Sequence, residues 1–371
     1  PLDRALVLIF PGPGSATGED LAELHLHGGR AVVRAVESAL AKCPGLRAAE
    51  PGEFTRRALA SGRIDLTEAE GLGDLLAAET EHQRKVALAS AQGALSRAVD
   101  TWRTALLTIA ARIEAALDFS DEDDVAPVIA ATLADEAVAL GGDIERLLAV
   151  PPVERLRDGL RVVIAGPPNS GKSTLFNAMA DREAAIVSPI AGTTRDRIEA
   201  PVVRGGIAYV LIDTAGLVDT TDDPIEAIGV ERAGRAIEAA DIVLWLGDDP
   251  PPENALWIHA RADMAGRGTL PPGRLLSTAA ANGEGVNAVW AALGSRAAAM
   301  LPPPDQIAVN ARQRLLLANA AHCLAECAGE RDTLLIAEHI RLALSAFDRL
   351  TGRADVEAML DTLFARFCVG K

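Results

Sequence analysis

The 371-residue sequence predicts a doubly wound α/β domain inserted into an all-α helical domain, with a partial α+β domain in front. Three observations predict it. Short apolar runs broken by turns fill residues 1–62. A helical period of three and four occupies residues 63–157 and returns over 302–371. Between these, residues 158–301 alternate strand-like apolar runs with helical stretches, the mark of a doubly wound sheet.

The elements follow in order. "RALVLIF" (Arg4 to Phe10) is a strand and "PGPGSATGED" a loop. "LAELHLHGG" alternates as a second strand, and "GGRAVVRAVESALAKC" is an amphipathic helix. Leu95, Val99, Trp102, Leu106, Ile109, Ile113 and Ala116 form one stripe with no proline in it, which predicts a long bundle helix. "DFSDEDDVAP" closes that helix as an acidic, solvated turn. "RVVIAG", "AYVLIDTAG" and "ADIVLWLG" are buried strands, "GRLLSTAA" is the last strand, and "GKSTLFNAMA" is a helix. "LPPPD" (Leu301 to Asp305) is a linker. Ile336, Ile340, Ala343, Phe347 and Leu350 make a helical stripe stopped at Gly352; Val356, Leu360, Leu363 and Phe367 make another.

Composition narrows the function. The net charge of −16 excludes nucleic-acid binding through a global basic field, so such contacts need a local patch or a second protein. Aromatic residues are 3% of the chain, so its cores are built from Leu, Ala, Val and Ile. The four cysteines are too scattered for a disulfide framework, which fits a reducing cytosol. Cys323 and Cys327, one helical turn apart beside His322, read as a buried helix face rather than a metal site. His25 and His27 alternate on a strand before the Gly28–Gly29 turn and read as folding residues. No apolar run reaches membrane-spanning length and no signal peptide opens the chain. Starting at Pro1 and passing almost at once into "ALVLIF", the chain reads as entered mid-domain.

The chemistry lies in "GPPNSGKST" (Gly166 to Thr174). A strand, this glycine-rich loop and a helix in that order cradle phosphates on backbone N–H groups. Asn169, Ser170, Gly171, Lys172, Ser173 and Thr174 are the candidate binding residues. Lys172 supplies charge at the β/γ positions and Ser173 a hydroxyl for Mg²⁺. "DTAG" (Asp213, Thr214, Ala215, Gly216) follows a strand, where an acid on the Mg²⁺ side and a γ-phosphate sensor belong. "GTTRD" lies between these motifs, with Thr194 the candidate second Mg²⁺ ligand. Together the three predict a GTPase-type domain.

The base-reading end is less regular. "ARAD" (Ala260 to Asp263) stands where GTPases carry N-K-x-D. Asp263 suits guanine N1 and the 2-amino group, and the Arg261 stem suits the face of the base. Ala280 is the candidate backbone N–H for guanine O6, and guanine is favoured over adenine. Only "GDDPPPEN" separates two strands that a helix normally joins. Leu217 stands where many GTPases place a water-orienting Gln. Asn169 could help hold a monovalent cation near the β/γ bridge. Glu226 reads from spacing as an exposed helix-start charge or as a group acting through water.

"GPPNSGKSTLFN", "REAAIVSPIAGTTRD", "IDTAGL", "IEAIGVER", "FPGPGSATGEDLAELHLHGG", "PGEFTRRALASGRIDLTEAEGL" and the terminal "FCVGK" together resemble the MnmE (TrmE) family of tRNA-modification GTPases along nearly the whole chain. The resemblance implies a K⁺-stimulated GTPase whose nucleotide domains dimerise across the nucleotide. K⁺ would lie on Asn169, Ser188, Ile190 and Thr193, and Mg²⁺ on Ser173 and Thr194, with Glu226 as the catalytic glutamate. The N-terminal domain would bind 5-formyl-tetrahydrofolate or a related one-carbon folate and build the homodimer. Matching positions are Glu23, Arg63 (in place of a family lysine) and Lys371, and Cys368 falls in the C-terminal motif. The implied partner is the FAD-dependent MnmG (GidA). The implied reaction is carboxymethylaminomethylation at C5 of the tRNA wobble uridine, in the cytoplasm. The alternative is a GTP-dependent switch for ribosome or RNP assembly with no chemical role.

Overall fold

The computed structural model describes residues 1–118, 126–180, 199–214, 233–354, 363–364 and 367. They fall into two compact units. One comprises Pro1–Ala77, Val86–Val150 and Ala311–Lys371; the other comprises Ala78–Lys85 and Pro151–Asn310.

At the start of the first unit, β1 (Leu6–Phe10) pairs antiparallel with β2 (Leu21–His25), Leu6 opposite His25. The ribbon is thin, and Leu6, Val7 and Ile9 are each more than half exposed. Helix α1 (Arg30–Leu40) forms where the amphipathic pattern predicts it, with no residue fully buried. Helix α2 (Glu53–Ala60) ends at a turn whose Ser61 hydroxyl donates to the Thr17 carbonyl, pinning the loop between the strands. Helices α3 (Leu66–Ala77), α4 (Glu81–Ala91), α5 (Ala94–Asp118) and α6 (Ala126–Leu148) follow. Leu95, Val99, Leu106, Ile109 and Ile113 are buried along α5 as the stripe predicts, and Ala116 is half-buried.

The second unit is the sheet. It contains α7 (Glu154–Asp158), β3 (Leu160–Ala165), α8 (Lys172–Ala180), β4 (Glu199–Arg204), β5 (Ile207–Asp213), α9 (residues 233–238), β6 (Ile242–Trp245), β7 (Leu256–Ala260), β8 (Leu276–Thr278) and α10 (Val286–Ala298). Strand order is β4-β5-β3-β6-β7-β8, parallel except for the β4–β5 hairpin. Sequence reading missed β4, although its signal was present. Gly205 and Gly206 both take positive φ (59° and 78°), which the two-residue turn between twisted strands demands.

Val162, Val163, Ile164 and Ala165 are essentially inaccessible, as a central parallel strand covered on both faces requires. Val163, Ala165 and Ile212 pack with Ala236 and Ile237 from α9, while Tyr209 meets Trp290 of α10 edge-on at 5.3 Å. The first turn of α4 belongs to this unit. Gln83 Nε2 donates to the carbonyls of Leu156 (2.8 Å) and Arg157 (3.2 Å), fixing the lead-in to β3.

Strands β6 and β7 pair in parallel although only residues 246–255 join them, and these contain no helix. Side chains replace it. Trp245 Nε1 donates to the Asp249 carbonyl at 3.0 Å and Trp257 Nε1 to the Gly247 carbonyl at 2.9 Å. The Asp248 carboxylate meets Arg267 (3.0 Å) and Arg274 (2.9 Å), and Arg274 lies over the Trp257 ring at 4.8 Å. Hydrogen bonds from Arg267, then Arg274, hold Asp248 down at a pKa of about 2.

The chain then returns to the first unit through α11 (Ala311–Ala325) and α12 (Thr333–Thr351). Asp332 caps α12 by accepting from Leu334 N, and Gly352 (φ 81°) stops it. Ile336, Ile340, Ala343, Phe347 and Leu350 are all buried, with Phe347 stacked on Trp102 of α5. Of the second stripe, Val356 and Leu360 lie outside the described residues. Cys327 is buried and His322 exposed, and no His/Cys/Asp/Glu group suited to a metal occurs among the described residues. No helix among them is long and apolar enough to cross a membrane.

Candidate active site

Chain reversal at β3 creates the site. Its neighbours β5 and β6 lie on opposite sides, so the loop after β3 opens at a topological switch point, where α/β sheets bind ligands. Residues 166–171 form that loop and α8 begins at Lys172. A side chain at Gly166 (φ 146°) would put its Cβ 3.0 Å from Ser170 Oγ and 3.1 Å from Gly247 N, so only glycine lets the loop fold this tightly. The unbonded N–H groups at the start of α8 carry partial positive charge toward the loop.

Lys172 is buried, and its Nζ donates to the carbonyls of Gly166 (3.0 Å) and Pro167 (2.9 Å). Burial lowers its pKa, against the opposing charge of Asp213. An ammonium has three donors, so one remains for a phosphate. Ser170 Oγ is buried with no hydrogen-bond partner among the described residues. Ser173 and Thr174 are exposed on the first turn of α8. Asp213 and Thr214 are buried at the end of β5; the Thr214 hydroxyl donates to the Ile164 carbonyl at 2.9 Å and is committed to the sheet.

The base end is assembled from β7 and β8, which lie two and three strands from β3. Two inter-strand steps are roughly 10 Å, the span of a ribose between phosphate and base. Ala260 ends β7. Arg261 then turns to φ 59°, and its Nη1 donates to the Asn169 carbonyl at 2.6 Å, with Asn169 itself at φ 61°. Its stem crosses Gly171, whose missing side chain makes room. Ala262 N donates to the Thr278 carbonyl at 3.1 Å and ties the two base-end loops together.

A cleft of about 700 Å³ results. Asn169, Gly171, Lys172, Ser173, Thr174, Asp263 and Ala280 all line it, so seven residues named from sequence converge on one space. Met264 and Ala281 also line it; their types carry no local signal of such a role. Nor did sequence reveal that Arg261 reaches back to the phosphate loop. Ser188, Ile190, Thr193, Thr194, Ala215, Gly216, Glu226, Cys368 and Lys371 lie outside the described residues.

In the first unit, Glu23 stands on β2 with His25 Nε2 at 3.0 Å. Arg63 is exposed after α2, its stem against Gly18. His27 lies beyond the end of β2, not on the strand that the sequence predicts for it, and its Nδ1 meets Asp3 at 2.8 Å, so both histidines pair with carboxylates.

The cleft thus offers N–H donors and the Lys172 ammonium to a polyphosphate, and a carboxylate to a base edge rich in donors. Comparison with known proteins agrees in kind. The family profile described as the MnmE helical domain matches residues 66–368, and that described as the GTP-binding protein TrmE N-terminus matches residues 1–63. The chain is 58% identical over 371 residues to the tRNA modification GTPase MnmE of Rhizorhabdus wittichii, matching 100% of its own length and 84% of that relative. The Erythrobacter litoralis protein of the same name is 58% identical over 377 residues, and that of Zymomonas mobilis subsp. mobilis 48% over 378; each alignment takes in all of this chain and 87% of the relative.

Proposed function

Since this chain belongs to the MnmE family, we propose that it is a GTP hydrolase that acts in tRNA modification. The observation that carries the reading is the cleft itself. It joins a buried lysine and the exposed Ser173 at one end to an exposed aspartate at the other.

Mg²⁺ fits this donor set. Ser173 opens onto the cleft, and Asp213, buried at the end of β5 within electrostatic reach of Lys172, has the charge a divalent ion needs; Thr194 is the proposed second ligand. Bound there, the ion would supply charge neutralisation to the phosphates. K⁺ is proposed to sit with Asn169, Ser188, Ile190 and Thr193, supplying the positive charge that an arginine finger gives elsewhere. The protein's own part is to hold the phosphates on loop N–H groups and Lys172. Glu226 is proposed to orient the attacking water, a task beyond the apolar Leu217.

The finer reading divides the chain into an N-terminal folate-binding and dimerisation domain (1–62), a helical domain (63–157 and 302–371) and an inserted nucleotide domain (158–301). Glu23, Arg63 and Lys371 are proposed to hold the folate, and Cys368 to act in the C-terminal motif. The protein is proposed to work as a cytoplasmic homodimer with the FAD-dependent MnmG on C5 of the wobble uridine. A decisive experiment compares GTP turnover by the full chain in K⁺ and in Na⁺. Stimulation of about tenfold or more in K⁺ is expected where a fixed cation completes the site. Equal rates in both salts remove the potassium reading.

A further inference from the structure

From the polar groups at the base end of the cleft, we infer that this enzyme reads guanine through its N1 and 2-amino edge and leaves N7 unread. The inference rests on the guanine reading above and deepens it. N7 is a hydrogen-bond acceptor, so reading it requires a donor. Asp263, when ionised, is acceptor-only, which suits N1–H and the 2-amino group but not N7.

The side-chain donors nearby are bonded or drawn elsewhere. Thr278 has one hydroxyl proton, and it goes to the Glu284 carbonyl at 2.9 Å. Arg267 stands behind β7, with Nε on the Ala260 carbonyl at 3.1 Å and its two remaining nitrogens on Asp248 at 3.0 and 3.1 Å. The Arg261 guanidinium is drawn to the phosphate loop by its 2.6 Å bond to the Asn169 carbonyl. Two backbone donors are taken as well: Ala262 N bonds the Thr278 carbonyl and Met264 N the Arg261 carbonyl, each at 3.1 Å. Ala260 is 3% exposed and contributes only a methyl wall. Among the described residues lining this end, no side chain is therefore placed to donate to N7.

The test is competition by GTP, 7-deaza-GTP and ITP for a ribose-labelled fluorescent GDP bound to the full chain. 7-Deaza-GTP replaces N7 with a C–H and is expected to match GTP within about threefold. ITP lacks the 2-amino group and is expected to bind about tenfold more weakly, the usual effect of one unmade hydrogen bond in a site built for it. Ala260→Asn restores a donor beside the base and should open a preference of about fivefold or more for GTP over 7-deaza-GTP. The unaltered protein decides the matter even if that variant folds poorly. A discrimination of more than about threefold against 7-deaza-GTP by the unaltered protein overturns the inference while leaving the guanine reading standing. Failure of GTP itself to displace the label overturns both.

Discussion

The two ends of the nucleotide cleft are built on different terms. At the phosphate end almost every position is dictated. Gly166 has no room for a side chain, Gly171 takes φ 99°, and Lys172 is buried with two carbonyls on its ammonium. At the base end the same sheet is closed by substitutes: a methyl at Ala260, an arginine reaching across to Asn169, and a clasp of Asp248, Arg267 and Arg274 where a crossover helix would stand. The difference follows from the ligands. Phosphate oxygens need many donors converging within one loop, which few backbones can provide. A base presents a flat face and a few edge groups, and several combinations of side chains can meet them.

The contrast can be broken most forcefully at Lys172. Lys172→Ala should lower single-turnover GTP hydrolysis by about 100- to 1,000-fold, the range for losing one preorganised charge-stabilising donor. Its thermal midpoint should not fall, because burial already disfavours the charged amine. A loss under tenfold would mean that the phosphate end is no more exacting than the base end.

Arg261 sharpens the comparison. Arg261→Met should weaken GTP binding by about tenfold, since the Asn169 carbonyl loses a charge-assisted donor. Arg261→Lys keeps a cation able to reach the same carbonyl and should remain within a few-fold of the unaltered protein, as read by titration calorimetry. Equal losses in both variants would show that the planar fork, not the charge, is what the site uses.

The smallest effect belongs to the clasp. Asp248 ionises at about 2 in the folded chain against an ordinary 3.8, held there by Arg267 and then Arg274. Its contribution is therefore whole above about pH 4 and is lost as pH falls through about 2. The side chain is 65% exposed, so screening keeps the contribution to at most about 1 kcal/mol. Asp248→Asn should lower the urea midpoint slightly at pH 7, and the gap should narrow as the pH approaches 3. A pH-independent gap would assign the loss to displacement of Arg274 from the Trp257 ring instead.

Legibility followed the same division. The glycine-rich loop and its helix were readable because spacing alone sets backbone direction there, and the α5 and α12 stripes because burial repeats with the helical turn. Strand β4 leaves a readable mark in Gly205–Gly206, the paired glycines of its hairpin turn. Gln83 could not be placed from sequence: its partners are the carbonyls of Leu156 and Arg157, more than seventy residues away, and a glutamine on a helix carries no sign of such an attachment. The Asp248 clasp was hidden for the same reason, since Arg267 and Arg274 look like ordinary surface charges until the fold brings them to one carboxylate. The short proline-rich connection, by contrast, was visible as a missing helix.

Asn169 and Arg261 face each other across the cleft, and both hold backbone angles that side chains disfavour, φ 61° and 59°. Each such bend costs roughly 1 kcal/mol, more readily tolerated by asparagine than by arginine. That expense is met by the fold before any nucleotide arrives. An incoming ligand finds this seat already contorted into its receiving shape, so no part of the encounter is spent on bending it. Residence time, rather than the speed of capture, is then the quantity that changes here would alter.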